Sequence, residues 1–383
     1  MKIGYAYVEY GITGGIERAS FELASAMANR GHEVHYHCTR SRALPPPGVT
    51  LHHVFAPGPV NAVRLATFAW RASRALSTGG YNITHSHGDL IGAQVVTAHS
   101  CHTAGLRYMA RIGQDLPPAS RNFGVADKIR LHIERQNFAQ KRYRAIIAVS
   151  SGVQAELGEA YDVPGADVTV IPNGVDLLRF PPGLRESRRL QVRTRLGLPE
   201  NSLLLLFVGN EFHRKGLGEV IRALKLVSHR DAVLVVAGGD DARPYSRLAA
   251  DLGIDSQVRF VGKIADMDDF YQAADIFVLP SAYEAFSVAM LEAAGAGLPL
   301  VLSRVNGAEE FLKDGVNGLF VERNPKTLAE AINRLLADAN LRARLGAEAG
   351  RTASDYTWDH IASRVEAVYH EVLGRSQTTG RMS

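Results

Sequence analysis

Short apolar runs of strand length, separated by longer segments with helical spacing, recur along nearly the whole chain, and this alternation restricts the fold more than any other feature. In the first half the runs are Ile3 to Val8, Glu33 to Thr39, Val49 to Val54, Ile83 to His85, Val95 to His99 and Ala145 to Val149. Between the first two, Gly15 to Arg30 puts Ile16, Ala19, Phe21, Leu23, Ala24 and Met27 on a largely apolar helix, with Gly31 placed to end it. A second set starts at Leu203 to Val208 and continues through Ala232 to Ala237, Val258 to Val261, Ile276 to Leu279, Pro299 to Ser303 and Gly318 to Val321. Helical stretches at 216–229, 244–252, 266–274 and 326–336 separate these runs. The pattern predicts an α/β protein with parallel sheets, built as two halves of one plan. Ile171-Pro-Asn-Gly-Val-Asp176 reads as a turn, and the crossover between halves is expected between 174 and 185. A last helix is expected over 355–374 with Trp358 near its start, followed by a polar, disordered tail from Arg375 to Ser383.

A length of 383 residues favours two domains, and 46% hydrophobic with 21% charged residues is ordinary for a globular protein. No run of about eighteen apolar residues offers a membrane span. Met1 to Tyr10 reads as a first strand and not as a signal peptide, so the cytoplasm is the expected compartment. Cys38 and Cys101 are too few for a disulfide framework or a cysteine metal site. The net charge of +4 is uneven: residues 102 to 145 hold nine Lys/Arg against three acids, leaving the rest of the chain at −2. Such a segment suits phosphates, anionic lipid or nucleic acid, or is simply a solvated helix face.

Glu284 and Glu292 stand eight residues apart, after the apolar run ending at Pro280. With the strand ending there and a helix starting near Ser287, Glu284 falls in the loop at the strand's carboxyl end and Glu292 more than a turn into the helix. Ligands of open α/β sheets bind at that edge, where a helix N-terminus offers backbone N–H groups to an anion. His213-Arg-Lys-Gly216 follows another strand end, and Arg214 and Lys215 there suit a diphosphate. Gly14-Gly15 lies between the first strand and a helix but misses the dinucleotide-fingerprint spacing, so a plain turn competes with a ligand site. Four histidines, His85, His87, His99 and His102, fall within eighteen residues at two further strand ends. No acid or cysteine set completes a metal site with them, so packed or hydrogen-bonded histidines are expected, His99 being the candidate to face a sugar. Ala148-Val-Ser-Ser-Gly152 reads as a strand-to-helix turn with a serine as the cap. Neither a Gly-x-Ser-x-Gly elbow nor a P-loop is present.

Taken together, Gly14-Gly15, Val96-Thr-Ala-His99, Val149-Ser-Ser, Ile171 to Asp176, Arg214-Lys215-Gly216 and Glu284…Glu292 resemble the retaining glycosyltransferases of family four, in the same order from about residue 1 to 374. The resemblance implies the GT-B fold: two Rossmann-like domains facing a cleft, with a final helix crossing back to the first. The corresponding boundaries are 1–178 for the acceptor side, 179–356 for the nucleotide sugar, 357–374 for the returning helix and 375–383 for the tail. It also implies roles. Arg214 and Lys215 would bind the donor diphosphate, Glu292 the ribose, and the amides of Phe286, Ser287 and Val288 the sugar and distal phosphate. Glu284 would orient the sugar, Gly262, Lys263 and Ile264 would face the base, Gly14 and Gly15 would approach the phosphate, and His99 would line the acceptor side. No metal and no cofactor is implied, since Arg and Lys take the place of a metal site and the nucleotide sugar is a substrate.

One departure stands out: the family often has Glu-Gly-Phe-Gly where this chain has Glu284-Ala-Phe-Ser287, which restricts the backbone beside the sugar. Tyr10…Gly14-Gly-Ile-Glu-Arg18, Ile133 to Phe138 and His213 to Gly216 are similar to the lipopolysaccharide core glucosyltransferases. That likeness implies transfer of glucose from UDP-glucose to a glycolipid such as the inner core, at the inner face of the cytoplasmic membrane. The segment 102–145 would then be an anionic-membrane surface, with no nucleic-acid partner. A soluble acceptor, an inactive sugar-nucleotide-binding module and an epimerase of similar fold are the alternatives.

Overall fold

The computed structural model describes residues 1–12, 14–57, 61–112, 124–264 and 266–379; Asp115 and Arg121 of the basic segment, and residues 380–383 of the expected tail, lie outside them. The chain divides into two compact units, Met1–Gly174 with Trp358–Ser383, and Val175–Thr357. Residues 175–178, expected in the first domain, belong to the second, because Val175 pairs with Thr357 and its N–H donates to Tyr356 O at 2.8 Å.

Unit 1 is built on β1 (Lys2–Ala6), β3 (Glu33–Cys38), β5 (Val49–His53), β6 (Ile83–Ser86), β7 (Val95–Ala98), β8 (Ala145–Ala148) and β9 (Val168–Val170), with a two-strand ribbon of β2 (Glu9–Tyr10) and β4 (Arg40–Ser41). The main sheet is parallel, in the order β5-β3-β1-β6-β7-β8-β9. Helix Gly15–Asn29 buries Ala19, Leu23, Ala24 and Met27, and Gly31 at φ +83° ends it in the left-handed conformation. The last helix, Trp358–Thr379, packs into the same unit, with Ile361, Val365, Tyr369 and Val372 buried beside Ile3 and Tyr36. It is longer than expected: Ser354–Tyr356 forms a separate 3₁₀ turn, and helix replaces the first residues of the polar tail. The first strand stops at Ala6 instead of Val8.

Unit 2 contains β10 (Leu204–Val208), β11 (Val233–Ala237), β12 (Val258–Gly262), β13 (Ile276–Leu279), β14 (Leu300–Ser303) and β15 (Gly318–Val321). All neighbours are parallel, in the order β12-β11-β10-β13-β14-β15. Strands covered on both faces read as unbroken apolar runs, and β10 and β13 show why: Leu204 to Phe207 and Ile276 to Val278 are at most 1% exposed. Each such side chain contributes about 1.5–3 kcal/mol when fully buried. Helix Leu217–Leu226 adds Leu217, Val220, Ile221 and Leu224, the i, i+3, i+4, i+7 stripe of a core-facing helix. β9 and the helices Asn61–Thr78, Arg185–Arg195 and Ala339–Ala353 fall outside the expected elements. The last two are polar or alanine-rich, which leaves little apolar contrast to read.

Candidate functional site

In both sheets the strand order reverses beside the first strand, between β1 and β6 in unit 1 and between β10 and β13 in unit 2. Open α/β sheets bind ligands outside the carboxyl ends of the strands at such a switch point. In unit 2 the chain leaves β10 through Gly209-Asn-Glu211, makes one helical turn over Phe212–Lys215 and enters the next helix after Gly216. Gly216 is fixed by space as well as by its φ of +81°, because a Cβ there would lie 2.5 Å from Pro280 O, on the loop after β13. This close approach draws the two loops together, with the Ala282 N–H donating to Arg214 O at 2.7 Å.

Three charges therefore meet at the switch point. Lys215 Nζ lies 2.6 Å from Glu284 Oε1, and Arg214 Nη1 is 3.2 Å from the same oxygen. Arg214 also donates to Tyr283 O and to the Glu211 carboxylate, while Ser281 Oγ donates to Glu284 at 2.9 Å. Burial alone would raise the Glu284 carboxyl, but Lys215 and Arg214, with the hydrogen bonds, outweigh it and hold the group below the usual carboxylate range. Glu284 is thus an ionised, largely buried carboxylate clamped by two cations.

Ser287 caps helix Val288–Gly295, its Oγ accepting from Met290 N at 3.3 Å. Glu284 and Ser287 line a cavity of about 10 Å³ with Asn306 and apolar neighbours. Phe286 is buried, packed against Gly307 and 5.9 Å from the Tyr356 ring. Val288 is half-buried at the start of the helix. Glu292 lies deeper, with Oε1 accepting from Arg179 at 2.6 Å and Oε2 from Tyr271 at 2.9 Å; Arg179 also pairs with Asp268. The two glutamates thus have separate partners. At the ends of β11 and β12, the Gly238 N–H donates to Gly262 O at 3.0 Å, and Asn210 Oδ1 accepts from Gly239 N at 2.7 Å. Gly262 and Lys263 are exposed and Ile264 is half-buried. Sequence reasoning missed Ser281, Tyr283, Arg179, Asp268 and Tyr271; an isolated Ser, Tyr or Arg in a loop carries no signal until the fold pairs it.

The unit 1 edge is of another kind. Gly14 precedes helix Gly15–Asn29 with the Glu17 carboxylate folded over it, while Gly15 is exposed with nothing within 4 Å of a Cβ placed there. Packing gives no reason for glycine at 15. His87 Nδ1 and His99 Nε2 are 2.9 Å apart, and His85 joins Thr97 at 2.7 Å and Tyr369 at 2.6 Å, with Tyr369 bonded on to Tyr5. Burial lowers these imidazoles, His85 to about 3 and His99 to about 4, so they stay neutral. Asp89 is pushed up to about 6 by burial, Arg130 lying 3.8 Å away. Among the described residues no group of three or more His, Cys, Asp or Glu is arranged to hold a metal ion. His102 is apart from the others, 3.2 Å from Asp127. Ser150 Oγ accepts from Val153 N at 3.2 Å, capping helix Ser151–Tyr161. The Ile133 to Phe138 motif has structural work: Glu134 accepts from His102 N and Thr103 N, and Asn137 bonds Leu90 O and Gly92 N. In the basic segment Arg107, Lys128, Arg130, Arg135, Lys141, Arg142 and Arg144 are exposed. No helix among the described residues is long and apolar enough to cross a membrane.

Known proteins share this fold. The chain is 31% identical, over 96% of its length and 83% of the relative's, to a D-inositol 3-phosphate glycosyltransferase of Salinispora tropica. Its structure is similar to that of WaaG, a glycosyltransferase involved in lipopolysaccharide biosynthesis, with TM-score 0.81 and 24% identity over 96% of this chain and 99% of that one. It is also similar to HepE of Anabaena in complex with UDP and glucose, with TM-score 0.75 and 20% identity over 97% of this chain and 100% of that one. The structural likenesses carry the fold, GT-B. A model of the group 1 glycosyl transferases matches residues 189–352 and one of glycosyltransferase family 4 matches 13–179. Together with the relative similar along nearly the whole chain, they make the protein a member of glycosyltransferase family 4.

Proposed function

We propose that the protein is a retaining, metal-independent hexosyltransferase that moves glucose from UDP-glucose to a glycolipid. The observation that carries this reading is the Arg214–Lys215–Glu284 cluster at the unit 2 switch point. In the reaction the bond from the anomeric carbon to the diphosphate oxygen breaks, and its electron pair stays on the leaving phosphate. Arg214 and Lys215 stabilise that charge, the kind of preorganised electrostatic contribution that is often the largest in catalysis. The acceptor hydroxyl attacks on the same face and passes its proton to the leaving phosphate oxygen. A carboxylate held by two cations and a serine hydroxyl is a weak nucleophile, which favours Glu284 as an orienting group over a covalent partner. Glu292 holds the ribose, the amides of Phe286, Ser287 and Val288 the sugar and distal phosphate, and Gly262, Lys263 and Ile264 the base. Gly14 and Gly15 approach the phosphate, and His99, kept neutral, lines the acceptor side.

HepE binding UDP and glucose supports the donor, and WaaG's part in lipopolysaccharide biosynthesis supports the acceptor and a place at the inner membrane face. A soluble phosphorylated polyol is the second reading, favoured by the similarity to D-inositol 3-phosphate glycosyltransferases about 31% identical. A thermal-shift panel of UDP-, GDP- and ADP-sugars tests the donor, since a ligand that binds only the folded state raises Tm by mass action. UDP-glucose should raise Tm most; a shift with GDP- or ADP-sugars alone sinks it. Product formation with a glycolipid or with inositol phosphate then separates the two acceptors. Loss of turnover in chelator with recovery on adding a divalent ion overturns metal independence.

A further inference from the structure

From Val34 to Gly88 the chain has no aspartate or glutamate, yet it carries Arg40, Arg42, Arg64, Arg71 and Arg74. Ten large apolar side chains stand exposed among the described residues, and four of them, Leu44, Phe55, Val63 and Trp70, fall in this one stretch. Trp70 is 66% exposed and Phe55 69%. Helix Asn61–Thr78 buries Leu65, Phe68, Ala72 and Leu76 in unit 1, which leaves Val63 and Trp70 on its outer side with Arg71 and Arg74. The Arg71 guanidinium lies 5.4 Å from the Phe55 ring centroid, and its Nη1 donates to Phe55 O at 2.9 Å. The outer face of the helix and the segment after β5 are thus one surface. Beside it opens a cavity of about 410 Å³, lined by Arg40, His53, Phe55 and Arg64 among others.

We propose that this surface docks unit 1 on an anionic bilayer, with Trp70, Phe55 and Val63 at headgroup depth and Arg64, Arg71 and Arg74 on lipid phosphates. Tryptophan favours the membrane–water interface, and a helix face mixing exposed aromatics with arginine gains from both apolar burial and the negative surface potential. Charge chooses the occupant. A long stretch with no acid to repel phosphate suits a surface bearing many negative charges at once, and an exposed apolar centre suits lipid better than a polar polyanion. The described part of the 102–145 segment is the poorer candidate, because it exposes a single large apolar side chain, Val125, and its Arg130 already has Asp89 as a partner. The inference stands apart from the identity of donor and acceptor, since binding is read without either.

The protein has two tryptophans, Trp70 and Trp358, the latter half-buried against Gly174. In Trp358→Phe, Trp70 is the only reporter. Its emission should shift to the blue on adding phosphatidylglycerol vesicles and stay unchanged with phosphatidylcholine alone. Arg71→Gln/Arg74→Gln should weaken vesicle sedimentation by ~tenfold or more at low salt, and Trp70→Ser should weaken it too. Neutralising Lys141, Arg142 and Arg144 should leave it nearly as it was. Sedimentation with no change in Trp70 emission, loss of binding only in the Lys141/Arg142/Arg144 variant, or no binding to anionic vesicles at all would each overturn the proposal.

Discussion

The two units share a strand order and a switch point, but they dress that point in opposite ways. Unit 2 places a buried carboxylate between two cations, and unit 1 places histidines that burial keeps uncharged. Strand order alone therefore marks where a ligand goes and says nothing about which ligand. The charged edge suits a diphosphate leaving group, and the neutral edge suits hydroxyls. Interchanging those characters should disable the protein in different ways.

The largest effect is expected in the charged edge. Arg214→Ala/Lys215→Ala should reduce kcat/KM by ~10³ or more, if two preorganised charge stabilisers are lost. It should also leave Glu284 buried without a counterion, lowering stability by about 3–5 kcal/mol. Steady-state kinetics and urea unfolding read the two losses separately. Unchanged turnover in a folded double variant removes the diphosphate clamp. Glu284→Gln is a finer test: it keeps the shape and removes the charge. If Glu284 only orients the sugar, turnover should fall by ~10²-fold or less, and mass spectrometry of the wild-type protein during turnover should trap no glycosyl ester on Glu284.

Much of this contrast was legible in the residues, and the reason is local. Continuous apolar runs such as Leu204 to Val208 can only be strands covered on both faces, and Arg214, Lys215 and Glu284 are read from their place just beyond such runs. Glu284 meeting both cations, however, depends on Gly216 lying against Pro280, a contact across 64 residues that spacing cannot show. Arg179 is the clearer failure. It lies in the crossover, where an arginine reads as solvent-facing, yet it bridges Glu292 and Asp268. The division at Gly174/Val175 falls inside the expected 174–185 crossover, four residues before 178, and is set by the pairing of Val175 with Thr357, residues far apart in sequence.

The neutral edge should reveal itself through pH. His85 and His99 have folded-state values of about 3 and about 4 against an ordinary 6.5, so the unfolded chain takes their protons first as pH falls. Their contribution is complete above pH 6.5 and is lost progressively down to about pH 4 for His99 and about pH 3 for His85, at about 1.4 kcal/mol per pH unit for each net proton. Asp89 works the other way: raised to about 6 from 3.8, it favours the folded state as pH falls through that window and offsets part of one histidine. Urea melts at pH 7, 6 and 5 should show falling stability, with a shallower slope in His99→Asn. A flat wild-type profile would mean that these imidazoles are not held neutral.

The smallest effect separates packing from ligand contact at Gly15. Nothing lies within 4 Å of a Cβ added there, and the residue opens a helix, so alanine should be tolerated or stabilise by about 0.5–1 kcal/mol. If the Gly15 backbone approaches the donor phosphate, the same methyl group should raise the donor KM several-fold while Tm holds or rises. The opposite movement of Tm and affinity is what gives the experiment its value, because a general disturbance of the fold moves both in the unfavourable direction. A Gly15→Ala protein with unchanged KM would confine diphosphate recognition to the charged edge of unit 2, and the contrast between the two edges would then be complete.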